Sequence, residues 1–209
     1  MTFCILLMTV GLALMLASEP LGHHAAGLFK IVASTGFIAL GVAAGGLHSA
    51  YGLVMLAALG FSWWGDFFLI SRNRNIFLMG MAAFFLAHLA YCAAFLVQGV
   101  APAGIVIGGA CVLPVSLGVA RYLKPHLGDM RVPVLAYMAV ITLMVALAAG
   151  TVADLRSLEL LAAALLFYAS DFFVARDRFV RPGFVNRLVG LPLYYAAQAW
   201  FAWTIASTQ

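Results

Sequence analysis

Two aspartates lie inside long apolar runs, where carboxylates are rare. Asp66 lies near the end of the run at 51–71, and Asp171 lies near the end of the run at 157–175. A charged carboxylate deep in a lipid-facing helix costs roughly 2.5–3.5 kcal/mol on insertion scales, so such residues usually face a polar interior. Two carboxylates can act as general acid and base, stabilise a developing cation, or relay protons. The alternative is that they only hydrogen bond neighbouring helices.

The composition identifies the kind of chain that carries these aspartates. Of the 209 residues, 66% are hydrophobic and 9% are charged, and the mean hydropathy is +1.09. A soluble domain has about 45–50% apolar and about 25% charged residues. These values exclude a soluble enzyme, a nucleic-acid-binding module, a disulfide scaffold and a disordered protein. They predict a protein that crosses a membrane several times.

The apolar runs predict an all-α, polytopic transmembrane helical bundle. A bilayer core about 30 Å thick needs roughly 20 apolar residues in a helix. Eight runs fit, with turn-forming or charged residues between them: 3–17, 30–46, 51–71, 76–98, 101–120, 132–150, 157–175 and 188–206. They form one integral membrane domain over 1–209.

Basic residues predict the orientation of the helices. Ten of the 11 Lys and Arg residues fall in the first, third, fifth and seventh connections, and only Arg156 falls on the other side. Cytoplasmic loops are enriched in Lys and Arg. We therefore predict that the N- and C-termini both lie outside.

A short sequence repeat links the two aspartates. Asp66-Phe67-Phe68-Leu69 recurs 105 residues later as Asp171-Phe172-Phe173-Val174, and each copy is followed by Arg-x-Arg. An even number of helices per half makes repeats parallel. The pattern predicts two four-helix repeats, 1–99 and 100–209. In that arrangement both carboxylates lie about 8 Å inside the cytoplasmic boundary, from the 1.5 Å rise per helical residue.

Seven further polar residues lie in the same runs and could position a bound molecule or a water: His88, Tyr91, Tyr137, Ser170, Tyr194, Tyr195 and Gln198. Spacings of three and four residues place side chains on one helix face, which relates His88 to Tyr91 and both Tyr194 and Tyr195 to Gln198.

Each of these residues also has a structural alternative. Tyr137 suits the interfacial aromatic belt, His88 suits interhelical hydrogen bonding, and Ser170 suits close helix packing. Metal or serine chemistry has little support, because the chain lacks both a zinc-binding histidine pattern and a nucleophile elbow. No metal and no cofactor are therefore predicted.

The combined motifs resemble the lysoplasmalogenase family, the YhhN-like membrane proteins. The resemblance covers helices three to eight and is carried by Phe61–Asp66, by Gly80, Phe84, His88 and Tyr91, by Leu166–Asp171, and by Tyr194–Gln198. It implies an eight-helix membrane hydrolase that cleaves the vinyl ether bond of a lysoplasmalogen. The products would be a fatty aldehyde and glycerophosphoethanolamine or glycerophosphocholine.

The resemblance also implies roles for individual residues. Asp66 and Asp171 would be catalytic, with six of the seven polar residues, all but Tyr194, around the substrate, and the partner would be a lysophospholipid within the membrane. Tyr194 is added from its position beside Tyr195. Lys30 would bind the headgroup phosphate. The family often has Lys-Pro here, whereas Ile31 follows Lys30 in this chain.

Two other functions fit the same residues. A proton-coupled small-molecule or lipid transporter could use the aspartates as a proton relay. A non-catalytic lipid-binding protein is the third alternative. We predict an integral protein of the bacterial inner (plasma) membrane with no nucleic-acid partner.

Overall fold

The structure, a computed structural model, describes residues 1–18, 23–71, 73–155 and 158–207. Eight α-helices lie in these residues, which confirms the all-helical prediction. Their bounds are α1 Thr2–Ala17, α2 His23–Ala43, α3 Ala50–Phe68, α4 Arg74–Gln98, α5 Pro102–Leu123, α6 Arg131–Leu155, α7 Leu158–Ala175 and α8 Phe184–Ser207. Glu19, Arg72 and Arg156, used in the loop assignments, lie outside the described residues.

Several helices are suited to a bilayer. Five segments, which cover all or most of α2, α4, α5, α6 and α7, are long and apolar enough to span a membrane, and α1 is a shorter apolar helix. Since a spanning helix satisfies its own backbone hydrogen bonds, this is the expected form of a chain in lipid. The chain is a polytopic α-helical membrane protein.

The predicted start of the second span was wrong. The apolar run begins at Lys30, but α2 begins at His23, so Lys30 lies two turns inside the helix. The sequence prediction places the end of the span at this charge. An ammonium can lie within a span when a buried carboxylate compensates it, and Asp66 does so here.

The chain divides into two compact units. The first comprises Met1–Ala94 with Gln198–Gln209, and the second comprises Phe95–Ala197. Each is described separately.

In the first unit, small residues bring α1 and α2 together. A Cβ added to Gly11 would lie 3.0 Å from the Ala33 backbone nitrogen, and one added to Gly36 would lie 2.5 Å from Met8 Cγ. Small residues allow this close approach of helices in membranes. The end of α2 is closed by Gly45, which has a φ of 89°. Its amide bonds the Val42 carbonyl while Gly46 bonds Gly41, as in a Schellman motif.

In the second unit, α5 and α6 meet in the same way. The Cβ positions of Gly104 and Gly108 both point at Ala149 on α6. Nearby, three hydroxyls join α5, α6 and α7: the Ser116 oxygen lies 2.7 Å from that of Thr142 and 2.8 Å from that of Tyr168. The Thr142 hydroxyl donates to the Met138 carbonyl.

The connection from α7 to α8 is closed by its own polar residues. It begins with a short π-helical turn, Arg176–Val180. The Asp177 carboxylate accepts from the Gly183 amide and from the buried Asn186, and Arg176 donates to Asn186. These bonds fix the entry of α8.

Replacing Gly108 by alanine tests the α5–α6 contact. The new Cβ would lie 2.3 Å from Ala149 Cβ, so we expect a loss of about 1–3 kcal/mol in the free energy of unfolding, as for overpacked cores. Gly118 on the same helix has open space around it, so Gly118→Ala should be neutral or stabilising. Thermal unfolding of the detergent-solubilised variants measures both. Equal effects of the two substitutions would contradict the described contact.

Candidate active site

Asp66 lies in the first unit with both carboxylate oxygens engaged. The Lys30 ammonium is 3.0 Å from Oδ1, and the Ser34 hydroxyl donates to Oδ2 at 2.6 Å. The side chains of Asp66 and Lys30 are 2% and 14% exposed. A buried charge is tolerated when it is paired and hydrogen bonded. The structure therefore compensates the carboxylate charge from a neighbouring helix.

The local sequences of α2 and α3 explain this arrangement. Ser34 follows Lys30 by four residues, so both project from one face of α2. On α3, Gly65 precedes Asp66, and a Cβ there would lie 2.5 Å from the Phe84 ring. The missing side chain lets Phe84 of α4 pack directly against the backbone of α3 at Gly65.

A second buried polar contact, between Tyr91 and Gln198, joins α4 to the part of α8 that belongs to the first unit. The Tyr91 hydroxyl donates to Gln198 Oε1 at 2.5 Å, and its ring stacks on Phe201 with centroids 4.3 Å apart. The Tyr91 side chain also interacts with Ser62 and with the charge of Asp66. This connects the carboxylate and the tyrosine within the first unit.

Gln198 and His88 present further polar atoms in this unit, and both side chains are fully buried. Because Tyr91 occupies Oε1, the Gln198 amide group retains its donors, and Nε2 has no hydrogen-bond partner among the described residues. His88 Nδ1 lies 2.6 Å from the Phe84 carbonyl. A carbonyl only accepts, so Nδ1 carries the hydrogen and, in the neutral ring, Nε2 carries the lone pair.

Asp171 lies in the second unit, on α7. Its Oδ2 accepts the Tyr137 hydroxyl of α6 at 2.5 Å. Ser170 is buried, as are Tyr194 and Tyr195 on α8. The Tyr194 ring packs edge-on against Phe167 with centroids 5.4 Å apart.

Within each unit, the structure brings together several residues chosen from the sequence. Asp66 contacts Lys30, and Tyr91 contacts Gln198; in the other unit, Asp171 contacts Tyr137. Lys30 thus bonds a carboxylate, and its binding of a headgroup phosphate stays a prediction. The catalytic roles of Asp66 and Asp171 stay predictions as well.

Sequence reasoning missed Ser34. A serine in an apolar run suggests a small residue at a helix-packing contact. The neighbouring sequence does not indicate which residue its hydroxyl bonds. The available signal was the spacing from Lys30, which places a hydroxyl and an ammonium on one helix face. Among the described residues, no group of three His, Cys, Asp or Glu side chains could hold a metal ion.

The apolar helices, the buried carboxylate of Asp66 and the partly buried carboxylate of Asp171 define a polytopic membrane protein with polar, candidate catalytic groups inside its helical units. The chain belongs to the YhhN family, whose family model matches residues 3–205. It is 36% identical over 151 residues to "Lysoplasmalogenase TMEM86A" of Bos taurus. The match covers 69% of this chain and 61% of that relative, less than two thirds of its length. No solved structure matches the chain.

Removing the Tyr91 hydroxyl tests the contact with Gln198. In Tyr91→Phe, the buried Oε1 loses its donor, so we expect a cost of about 1–3 kcal/mol in the free energy of unfolding. In Tyr91→Phe/Gln198→Met, both partners are apolar, and part of that loss should be recovered. Denaturant unfolding of the wild type, both single variants and the double variant gives the coupling. Purely additive effects would show that the bond contributes nothing.

Proposed function

We propose that the protein hydrolyses the vinyl ether bond of a lysoplasmalogen held in the membrane. The products are a fatty aldehyde and a glycerophosphoethanolamine or glycerophosphocholine. Family membership and the similarity to a relative named as a lysoplasmalogenase support this function. The structural observation that carries it is Asp66, a buried carboxylate held by two donors inside an apolar helical unit.

The chemistry of a vinyl ether sets what the residues must do. A proton adds to the β-carbon of the double bond and leaves a cation shared by the α-carbon and the ether oxygen. Water adds to the α-carbon and loses a proton, which forms a hemiacetal. The bond from the α-carbon to the glycerol oxygen then breaks, that oxygen takes a proton, and the aldehyde carbonyl forms. One water is consumed, and the donor regains its proton.

Carboxyl groups suit both halves of this sequence. A carboxylic acid can deliver the first proton, and a carboxylate can stabilise the cation and accept the proton of the attacking water, as paired carboxylates do in glycosidases. We propose that Asp66 and Asp171 both take part. This paired role draws on the sequence repeat and on the family resemblance.

The neighbouring polar side chains would position the water and the ether oxygen. Gln198 has amide hydrogens to donate, and His88 Nε2 is suited to accept. Tyr137 is placed to orient the carboxylate of Asp171. We further assign the substrate-positioning role to Tyr91, Ser170, Tyr194 and Tyr195.

The location of the protein can also be proposed in finer terms. The chain is an integral membrane protein, and we propose that it resides in the bacterial inner (plasma) membrane. The bias of basic residues toward four connections supports an orientation with those connections in the cytoplasm. The lysophospholipid would then be processed within that membrane.

The activity is tested with purified protein in detergent. We expect aldehyde to be released from lysoplasmenylethanolamine and none from the matched 1-O-alkyl lipid, because protonating the double bond starts the reaction. A lysophospholipid ester should also be stable. Absence of aldehyde from a folded preparation would refute the proposed function.

The two aspartates are tested by near-isosteric substitution. We expect Asp66→Asn and Asp171→Asn each to lower kcat by on the order of 100-fold or more, since general acid–base groups contribute that much. Asp129 is exposed in the turn before α6, so Asp129→Asn is the matched control and should retain activity. Unchanged activity in either membrane-span variant removes that residue from the mechanism.

A further inference from the structure

Lys30 lies within a helix and is mostly buried, unlike a typical surface lysine. It is the eighth residue of α2, its side chain is 14% exposed, and its Nζ lies 3.0 Å from Asp66 Oδ1. One turn later on the same helix, Ser34 bonds the other carboxylate oxygen at 2.6 Å. Two donors on one face of α2 thus bind the two oxygens of one carboxylate on α3.

These two contacts have the geometry expected around an ionised carboxylate. Lys30 can only donate, and Ser34 donates its hydroxyl hydrogen to Oδ2, so both oxygens act as acceptors. Charge-assisted bonds of this kind fix a side chain in one orientation. A lysine that left this position for a phosphate at the membrane surface would leave the carboxylate buried without its counter-charge, which is strongly unfavourable.

We propose that Lys30 is a positioning residue for Asp66 and not a ligand of the lipid headgroup. It holds Asp66 ionised and oriented, so that Asp66 is the group that accepts the proton of the attacking water. That proton passes to the glycerol oxygen when the hemiacetal collapses, and Asp66 is again a carboxylate. The first proton, to the β-carbon, comes from another acid, for which Asp171 is the candidate, and that acid regains its proton from the hydroxyl group of the hemiacetal as the aldehyde forms. This inference rests on the proposed function.

A substrate without a phosphate separates the two roles of Lys30. We compare lysoplasmenylethanolamine with 1-O-alkenylglycerol, which has the same vinyl ether and no headgroup. If Lys30 serves Asp66, Lys30→Met lowers kcat on both substrates by a similar factor, on the order of 100-fold, with little change in KM. Lys30→Arg, which keeps the charge, should recover part of the loss.

The matched control makes the same substitution at another lysine. Lys124 is exposed in the turn after α5, and Lys124→Met should leave both rates unchanged. A loss in Lys30→Met confined to the phospholipid, or expressed in KM alone, would show that Lys30 binds the headgroup and would overturn the inference. Failure of the wild type on both substrates would instead refute the proposed hydrolase function.

A folding measurement tests the ion pair even if Lys30→Met proves unstable. We compare the unfolding of Lys30→Met, Asp66→Asn and the double variant. If the pair is as described, the double variant is more stable than Lys30→Met, because no buried charge remains uncompensated. A double variant that is no more stable than Lys30→Met would contradict the pairing and overturn the inference.

Discussion

The ion pair between Lys30 and Asp66 is the interaction on which the first unit depends. A lone carboxylate inside an apolar helix is unfavourable, and so is a lone ammonium. Placed 3.0 Å apart, each compensates the other. The pairing therefore lets α2 and α3 run through a low-dielectric environment while one of them carries a group capable of proton transfer. It also limits how these two helices can rotate against each other.

In the second unit, the carboxylate in the apolar helix has a neutral hydrogen-bond partner. Asp171 on α7 accepts the hydroxyl of Tyr137, which lies on the preceding helix, just as Asp66 accepts from the helix before its own. In both units small residues bring the first two helices into close contact, at Gly11 on α1 and at Gly108 on α5. The duplication of a four-helix repeat stays a prediction. The two carboxylates have different partners, an ammonium with a serine hydroxyl for Asp66 and a phenol for Asp171.

This difference bears on how a vinyl ether could be cleaved. The reaction needs a proton donor and a proton acceptor, and two chemically identical aspartates acquire different properties only through their surroundings. An ammonium partner favours the acceptor role for Asp66. A phenol partner suits a carboxyl group that starts the proposed reaction protonated, because the phenol can accept a hydrogen bond from the acid as well as donate one to the carboxylate.

Much of the fold could be predicted because its signals are local. The eight apolar runs correspond to eight helices, and most predicted ends lie within a few residues of the observed ones. The exception is α2, which begins seven residues before the charge of Lys30 that the prediction takes as its boundary. Hydropathy counts each residue alone, so it could not register that Lys30 is compensated by a carboxylate on another helix.

The sequence by itself determined the class of protein and the two residues most in need of explanation. A bilayer demands long apolar helices, and against that background Asp66 and Asp171 are conspicuous without any structure. Only the tertiary structure decided their partners. Whether Lys30 reaches a phosphate or a carboxylate, and whether Ser34 packs or donates, depends on the rotation and crossing of α2 against α3. Those quantities are set by side-chain packing between segments distant in the chain, which no local pattern records.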